Sequence, residues 1–266
     1  MLEKIGFDPE MGEWAAAADA TIGRVVRVDG GLALVMTEER PVRASFAGKL
    51  LAMMSADPTT APCAGDWCVL REWPDRRITL ETVLPRRTTV VRATTGEPSG
   101  DQVLCSNIDY AAVVVALHAA PLITRVTRLL ARAWASGAQP LVVLTQSDAV
   151  PDADLVAELV ADVDAATSGV EVICTSTVTG SGLPRLHELI DGHLTVAFLG
   201  ASGHGKSSII NALVGAQVLT TKEIGHDGRG RHTSVRRELV VLPLGGAVID
   251  TPGMGGLGAI GAWNAG

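Results

Sequence analysis

The chain has 266 residues, of which 47% are apolar and 19% charged, and its formal net charge is −7. A chain this long suits about two domains with real cores, and this composition excludes a disordered or low-complexity protein. The acidic balance excludes a surface that coats nucleic acid everywhere, while leaving room for a local basic face.

Aromatic residues are sparse, so the core must be built from Val, Leu, Ile and Ala, as in buried parallel sheets. No apolar run reaches the roughly 18 residues of a membrane span. The first residues, MLEKIGFDPEMGEW, carry acids and no apolar core of a secretory signal. A cytoplasmic protein with no membrane partner is expected. Cys63 and Cys68 stand near each other, but no second pair follows at zinc spacing among Cys105 and Cys174. Neither a metal site nor a disulfide is expected in a reducing compartment, and Cys174 reads as a small core residue.

Residues 1–20 read as a leader. Arg24–Val28 and Leu32–Thr37 read as strands joined by an Asp29-Gly30-Gly31 turn. Val42–Phe46, Asp66–Trp73 and Ile78–Pro85 follow as strands, punctuated by Pro58, Pro62, Gly65, Pro74 and Asp75. Five short strands within 21–92 predict a small β-barrel, most simply of OB type. Its end is basic: Arg71, Arg76, Arg77, Arg86, Arg87 and Arg92 outnumber Glu72, Asp75 and Glu81. Such a face suits RNA, and an arginine-rich solvated rim explains it equally well.

A polar, glycine-containing stretch marks 93–103 as a linker. Over 104–266 strands and helices alternate. Ala111–Leu117, Leu141–Thr145, Val170–Thr175, Leu194–Leu199, Val235–Leu242 and Ala247–Asp250 read as strands. Leu122–Ser136, Asp152–Ala166, Leu183–Ile190 and the segment after Lys206 read as helices. The fold class is therefore α/β, a mostly parallel sheet with helices on both faces, behind the barrel. Ligand sites in such sheets gather at the carboxyl ends of the strands.

One of those ends carries Gly200-Ala201-Ser202-Gly203-His204-Gly205-Lys206-Ser207, which fits G-x-x-x-x-G-K-[ST] between a strand and a helix. The glycines let backbone N–H groups turn toward phosphate oxygens, and the following helix adds its positive end. Lys206 would meet the β- and γ-phosphates, Ser207 would offer its hydroxyl to Mg²⁺, and Ser208 completes the phosphate-binding set. Asp250-Thr251-Pro252-Gly253 ends another strand: Asp250 suits Mg²⁺ and Gly253 can present its N–H to a γ-phosphate. Thr145-Gln146-Ser147-Asp148 ends a third. The Asp148 carboxylate can accept from guanine N1–H and the exocyclic amine, a donor pair adenine lacks; a helix N-cap is the competing explanation. Ser176 and Thr177 end a fourth strand, where they can support the base from its other side. In 228–233, Thr233 is a candidate switch hydroxyl for Mg²⁺, ordered by the γ-phosphate.

Taken together, these segments resemble the ribosome small-subunit-dependent GTPase family (RsgA/YjeQ), a circularly permuted GTPase. The order of the motifs carries the resemblance: Thr145–Asp148 and Ser176–Thr177 precede Gly200–Ser207, Thr233 and Asp250–Gly253. Stretches such as GRVVRV at 23–28, LPRRT at 84–88, QVLCSNID at 102–109 and GRGRHTS at 228–234 extend it. The resemblance implies an N-terminal OB barrel, a permuted GTPase domain and a C-terminal zinc-binding domain. It also implies GTP or GDP and Mg²⁺ as ligands, and the small ribosomal subunit with its rRNA as partner of a monomeric protein. Lys206 and Thr233 are expected to serve catalysis; because Met254 follows Gly253 where a glutamine would serve, the attacking water needs another group, and His232 is the candidate in this chain, an arginine from the ribosome being the other.

The sequence departs from the family pattern in four ways. It stops at Gly266, and the zinc ligands are absent. Thr145 and Gln146 replace the asparagine and lysine of NKxD, which is expected to weaken guanine binding while Asp148 keeps the preference. Thr177 replaces an alanine. His204 replaces a small apolar residue, and a solvent-facing histidine is expected there. A second reading is therefore a guanine-nucleotide-binding, RNA-docking module with little or no hydrolysis; a third, an ATP-using P-loop enzyme, is disfavoured by the motif order and Asp148.

Overall fold

A computed structural model describes residues 1–7, 20–92, 101–219 and 237–251. Strands β1 (Thr21–Asp29), β2 (Leu32–Met36), β3 (Pro41–Phe46), β4 (Trp67–Glu72) and β5 (Ile78–Val83) close into a barrel in the order β1-β2-β3-β5-β4. The β1–β2 turn places Gly30 and Gly31 at φ 55° and 88°, the left-handed pair that matches the twist of a two-residue hairpin. β3 and β5 pair in parallel, so the chain must cross over between them. Helix α1 (Gly48–Ala56) lies on that crossover and buries Leu50 among Val25, Val35, Leu70 and Leu80. The sequence reading missed α1. Its N-cap is Ala47, which makes no side-chain cap bond, so the usual start signal is absent. Closure also explains Gly23: a Cβ there would lie 2.4 Å from Val35 Cγ1 and 2.8 Å from the Met36 carbonyl.

β6 (Thr89–Arg92) and β7 (Gln102–Ser106) pair with each other as an antiparallel ribbon outside the barrel. Residues 89–92, grouped with the barrel in the sequence reading, thus belong to a hairpin that spans the expected linker. A six-stranded sheet follows in the order β10-β9-β8-β11-β13-β12. Its strands are β8 (Tyr110–Ala116), β9 (Gln139–Thr145), β10 (Val172–Cys174), β11 (Thr195–Leu199), β12 (Glu238–Val241) and β13 (Ala247–Asp250). All neighbours are parallel except β12, which runs antiparallel to β13 at the edge.

Side-chain alternation along these strands feeds two cores. On one face, Val113, Val115, Ala197 and Ile249 pack against helices α2 (Leu122–Ala135) and α3 (Ala153–Ala166). On the other, Val114, Val196, Phe198 and Val248 pack against α4 (Leu183–Ile190) and α5 (Lys206–Val214). Both faces are covered, which is why the strands read as continuous apolar runs. Cys63, Cys68 and Cys105 are buried and Cys174 is half-buried. Burial pushes the Cys105 thiol up to about 12 and raises those of Cys63 and Cys68 as well. Among the described residues, no helix is long and apolar enough to cross a membrane.

Candidate nucleotide-binding site

β11 is central in the sheet and feeds straight into the loop Gly200–Gly205 and then α5. Gly200 passes against β8 so closely that a Cβ would lie 2.3 Å from the Val114 carbonyl oxygen. Gly203 and Gly205 adopt φ 84° and 82°, a region that only glycine enters cheaply. Gly205 caps α5 with no side-chain bond to the first-turn amides, which leaves those N–H groups for an anion. Lys206 is buried, and its Nζ donates to the carbonyls of Gly200 and Ala201, 2.9 Å each. Burial lowers its pKa, and the charge of Asp250 opposes the shift.

Asp250 ends β13, next to β11. Its Oδ2 accepts from Ser207 Oγ at 3.3 Å, while Oδ1 is buried and makes no hydrogen bond among the described residues. Burial raises the carboxyl pKa, against the pull of Lys206 and Ser207. An orphaned carboxylate oxygen beside a serine hydroxyl is a hard-oxygen donor set, and it fits Mg²⁺. Thr251 Oγ1 donates to the Phe198 carbonyl at 2.6 Å, locking the ends of β13 and β11 together.

Two further loops meet the phosphate loop from the other side. Thr145 Oγ1 donates to the His204 carbonyl at 2.8 Å, and Gln146 Nε2 to the Gly203 carbonyl at 3.0 Å. Gln146 itself sits at φ 59°, a strained region for a side chain of this size. Asp148 follows in a short 3-10 turn, Ser147–Ala149, rather than at a helix N-cap; Asp152 caps α3 instead. Asp148 Oδ1 accepts from Ser176 Oγ at 2.6 Å. Ser176 Oγ in turn accepts from the amides of Val178 and Thr179, 3.1 Å each. Gly182 brings this loop in: a Cβ there would lie 2.2 Å from the Cys174 carbonyl. Thr177 is exposed.

The structure therefore gathers Thr145–Asp148, Ser176, Gly200–Ser208 and Asp250 at one edge of the sheet. His232, Thr233 and Gly253 lie outside the described residues. His204 differs from the expectation of a solvent-facing ring: it is half-buried, with Nδ1 3.3 Å from the Val114 carbonyl. Burial depresses its pKa. The histidine ring thus packs the loop onto β8. Arg86 also leaves the basic face proposed for it, since it makes two bonds to the buried Asp66 carboxylate, 2.7 and 2.8 Å, and two more to the Thr59 and Ala61 carbonyls. Sequence reasoning missed two contacts, the Gln146 bond to Gly203 and the Val114 carbonyl under the loop. Both are made through backbone oxygens, which leave no mark on residue type.

A P-loop motif on a central strand, met by two loops from earlier chain segments, defines a circularly permuted P-loop protein. Solved structures superpose on this chain. They include YjeQ from Thermotoga maritima, at TM-score 0.63 and 22% identity over 88% of this chain and 75% of that one. Another is YloQ, described as a circularly permuted GTPase, at TM-score 0.59 and 21% identity over 90% and 73%. A family model described as RsgA GTPase matches residues 83–260. The small ribosomal subunit biogenesis GTPase RsgA of Streptomyces coelicolor is 42% identical over 99% of this chain and 71% of its own length. Its namesake from Streptomyces avermitilis is 44% identical over 91% of this chain. The chain belongs to the RsgA GTPase family. It spans 71% and 64% of the lengths of these two relatives.

Proposed function

We propose that this chain binds and hydrolyses GTP as a cytoplasmic, monomeric maturation factor of the small ribosomal subunit, and that the subunit activates it. The observation that carries the reading is the Ser176–Asp148 bond beside a phosphate loop that Gln146 and Thr145 hold from the same side. With one oxygen fixed by Ser176, the Asp148 carboxylate is oriented to accept from the two donors of guanine. The Gly203–Ser207 amides and Lys206 would take the phosphates, with Lys206 exchanging its two loop carbonyls for phosphate oxygens. Ser207, Thr233 and Asp250 would hold Mg²⁺, which when bound neutralises charge on the β- and γ-phosphates. Ala201, Ser202, His204 and Ser208 would complete the phosphate-binding set, Thr177 would support the base through its backbone, and Gly253 would offer its amide to the γ-phosphate. His232 would orient the attacking water.

The barrel offers a docking face for rRNA. The Arg71 guanidinium lies 4.0 Å from the centre of the Trp73 ring and that of Arg77 5.9 Å, and both arginines are exposed. An aromatic face flanked by cations suits unpaired bases and phosphates. The competing reading is a nucleotide-binding, RNA-docking module with little hydrolysis; it is favoured by Gln146, a neutral group where the family pattern has a cation. Phosphate release under multiple turnover, with and without purified small subunits, separates the two. Slow release alone and faster release with subunits is the expected result. Tight GDP binding with no release above blank would overturn the hydrolytic reading, and a His232→Ala protein that responds fully to subunits would remove His232 from it.

A further inference from the structure

Arg24 is the largest fully buried side chain among the described residues, at 1% exposure. It projects from β1 of the barrel, and its guanidinium ends between four segments. Nε donates to the Gly65 carbonyl at 3.3 Å, Nη2 to the Asn107 carbonyl at 2.8 Å, and Nη1 to Thr195 Oγ1 at 2.8 Å as well as to the Ile5 carbonyl. The group lies 5.1 Å from the centre of the Trp67 ring, which itself meets Phe7 edge-on. Among the described residues no carboxylate bonds it. Asp109 and Asp66 act on it from further off, and burial depresses its pKa to about 10. A cation has been buried here for its fork of N–H donors, matched to oxygens from four separate segments.

One of those oxygens belongs to the first residue of β11. Asp109 brackets the same residue: its carboxylate accepts from the Thr195 amide at 2.7 Å, and its own amide donates to the Thr195 carbonyl at 2.8 Å. The neighbouring β13 is gripped at the same end, where the Gly246 amide donates to the Lys4 carbonyl at 2.7 Å. Barrel and N-terminal segment thus hold the roots of two strands. The opposite ends of those strands are Gly200 and Asp250.

The geometry points to Arg24 as a positioning residue for the nucleotide site, one that fastens the barrel to the root of β11 so that movement of the barrel is felt in the phosphate loop. This rests on the nucleotide-site reading above. β11 is five residues long, roughly 17 Å, and is paired on both sides by β8 and β13. Such a strand moves as a rod. At its far end Gly200 passes so close to β8 that a Cβ would lie 2.3 Å from the Val114 carbonyl oxygen, so a shift at Thr195 is passed to the loop. Coupling of this kind requires two sites that bias one element, and a direct test separates it from mere proximity.

Two variants supply it. Thr195→Val deletes one acceptor and keeps a strand-forming residue of the same shape; Arg24→Lys keeps the charge and loses the fork. Release of fluorescent GDP and backbone hydrogen exchange are measured on the full chain. Thr195→Val is expected to release GDP about tenfold faster, the low end of the range for one hydrogen bond to a charged group, and Arg24→Lys faster still. Exchange in the nucleotide-free proteins is expected to rise over 196–203 and to stay unchanged over 141–144 in β9. Parent release rates together with parent exchange over 196–203 would overturn the proposal, and so would a rise spread evenly over both strands. Should Arg24→Lys fail to fold, Thr195→Val decides. A parent chain that binds no GDP would sink the nucleotide-site reading, and the exchange comparison would still judge Arg24.

Discussion

Replacing Gln146 tests how the Thr145–Asp148 loop is held. Its amide makes one neutral bond to the Gly203 carbonyl at 3.0 Å, in an exposed position. A bond of this kind contributes about 0.5–1.5 kcal/mol net, so Gln146→Ala should weaken GDP binding about two- to tenfold. A charged donor to the same carbonyl is worth about 1.5–3 kcal/mol. Gln146→Lys should therefore bind GDP more tightly than the parent, by roughly five- to tenfold. The backbone adds a control. At φ 59° a non-glycine residue carries about 1 kcal/mol of strain, and Gln146→Gly releases it while losing the same bond. Gln146→Gly should then bind GDP better than Gln146→Ala. Equilibrium titration with fluorescent GDP at fixed salt measures all three. Equal affinity of the alanine, glycine and lysine variants would refute the inference that this side chain ties the two loops.

Three other outcomes follow from the same structure. Ser176→Ala removes the donor that fixes Asp148 at 2.6 Å and the acceptor of two amides; GDP affinity should fall roughly tenfold or more, and preference for GDP over IDP should shrink, by competition titration. Arg71→Ala and Trp73→Ala should weaken association with small subunits while leaving GDP binding at the parent value. For Arg71→Ala the salt dependence of association should flatten by about 0.7 to 0.9 in logarithmic slope. Stability should fall in alkali. The buried thiols of Cys63, Cys68 and Cys105 are raised by burial, so above about pH 8.5 the unfolded chain loses protons that the folded chain keeps. Each thiol then costs roughly 1.4 kcal/mol per pH unit, a loss that urea midpoints between pH 8 and 10 would show and that a Cys105→Ala variant would reduce.

What the sequence made legible was whatever shows in residue type and order. The phosphate loop could be read because its glycines and Lys206 have few substitutes, and the strand at 111–117 because both of its faces are covered. The permuted order followed from Asp148 and Ser176 standing before Lys206. Helix α1 escaped notice because Ala47 caps nothing and its apolar residues show no clean stripe. The ribbon of 89–92 with 102–106 was hidden because pairing across an intervening polar stretch leaves no local signal. Arg86 looked like surface because Asp66, its partner, lies 20 residues away in the chain. His204 looked like surface for the opposite reason, since the group it packs against is a main-chain carbonyl.

The strand order has a bearing on synthesis. β8, β9 and the short β10 are neighbours in the sheet and consecutive in the chain, so a nascent polypeptide can assemble them by local pairing as they emerge. β11 and β13 must then add on the free flank of β8. The loops that carry Asp148 and Ser176 are in place before the loop that carries Lys206 has been made.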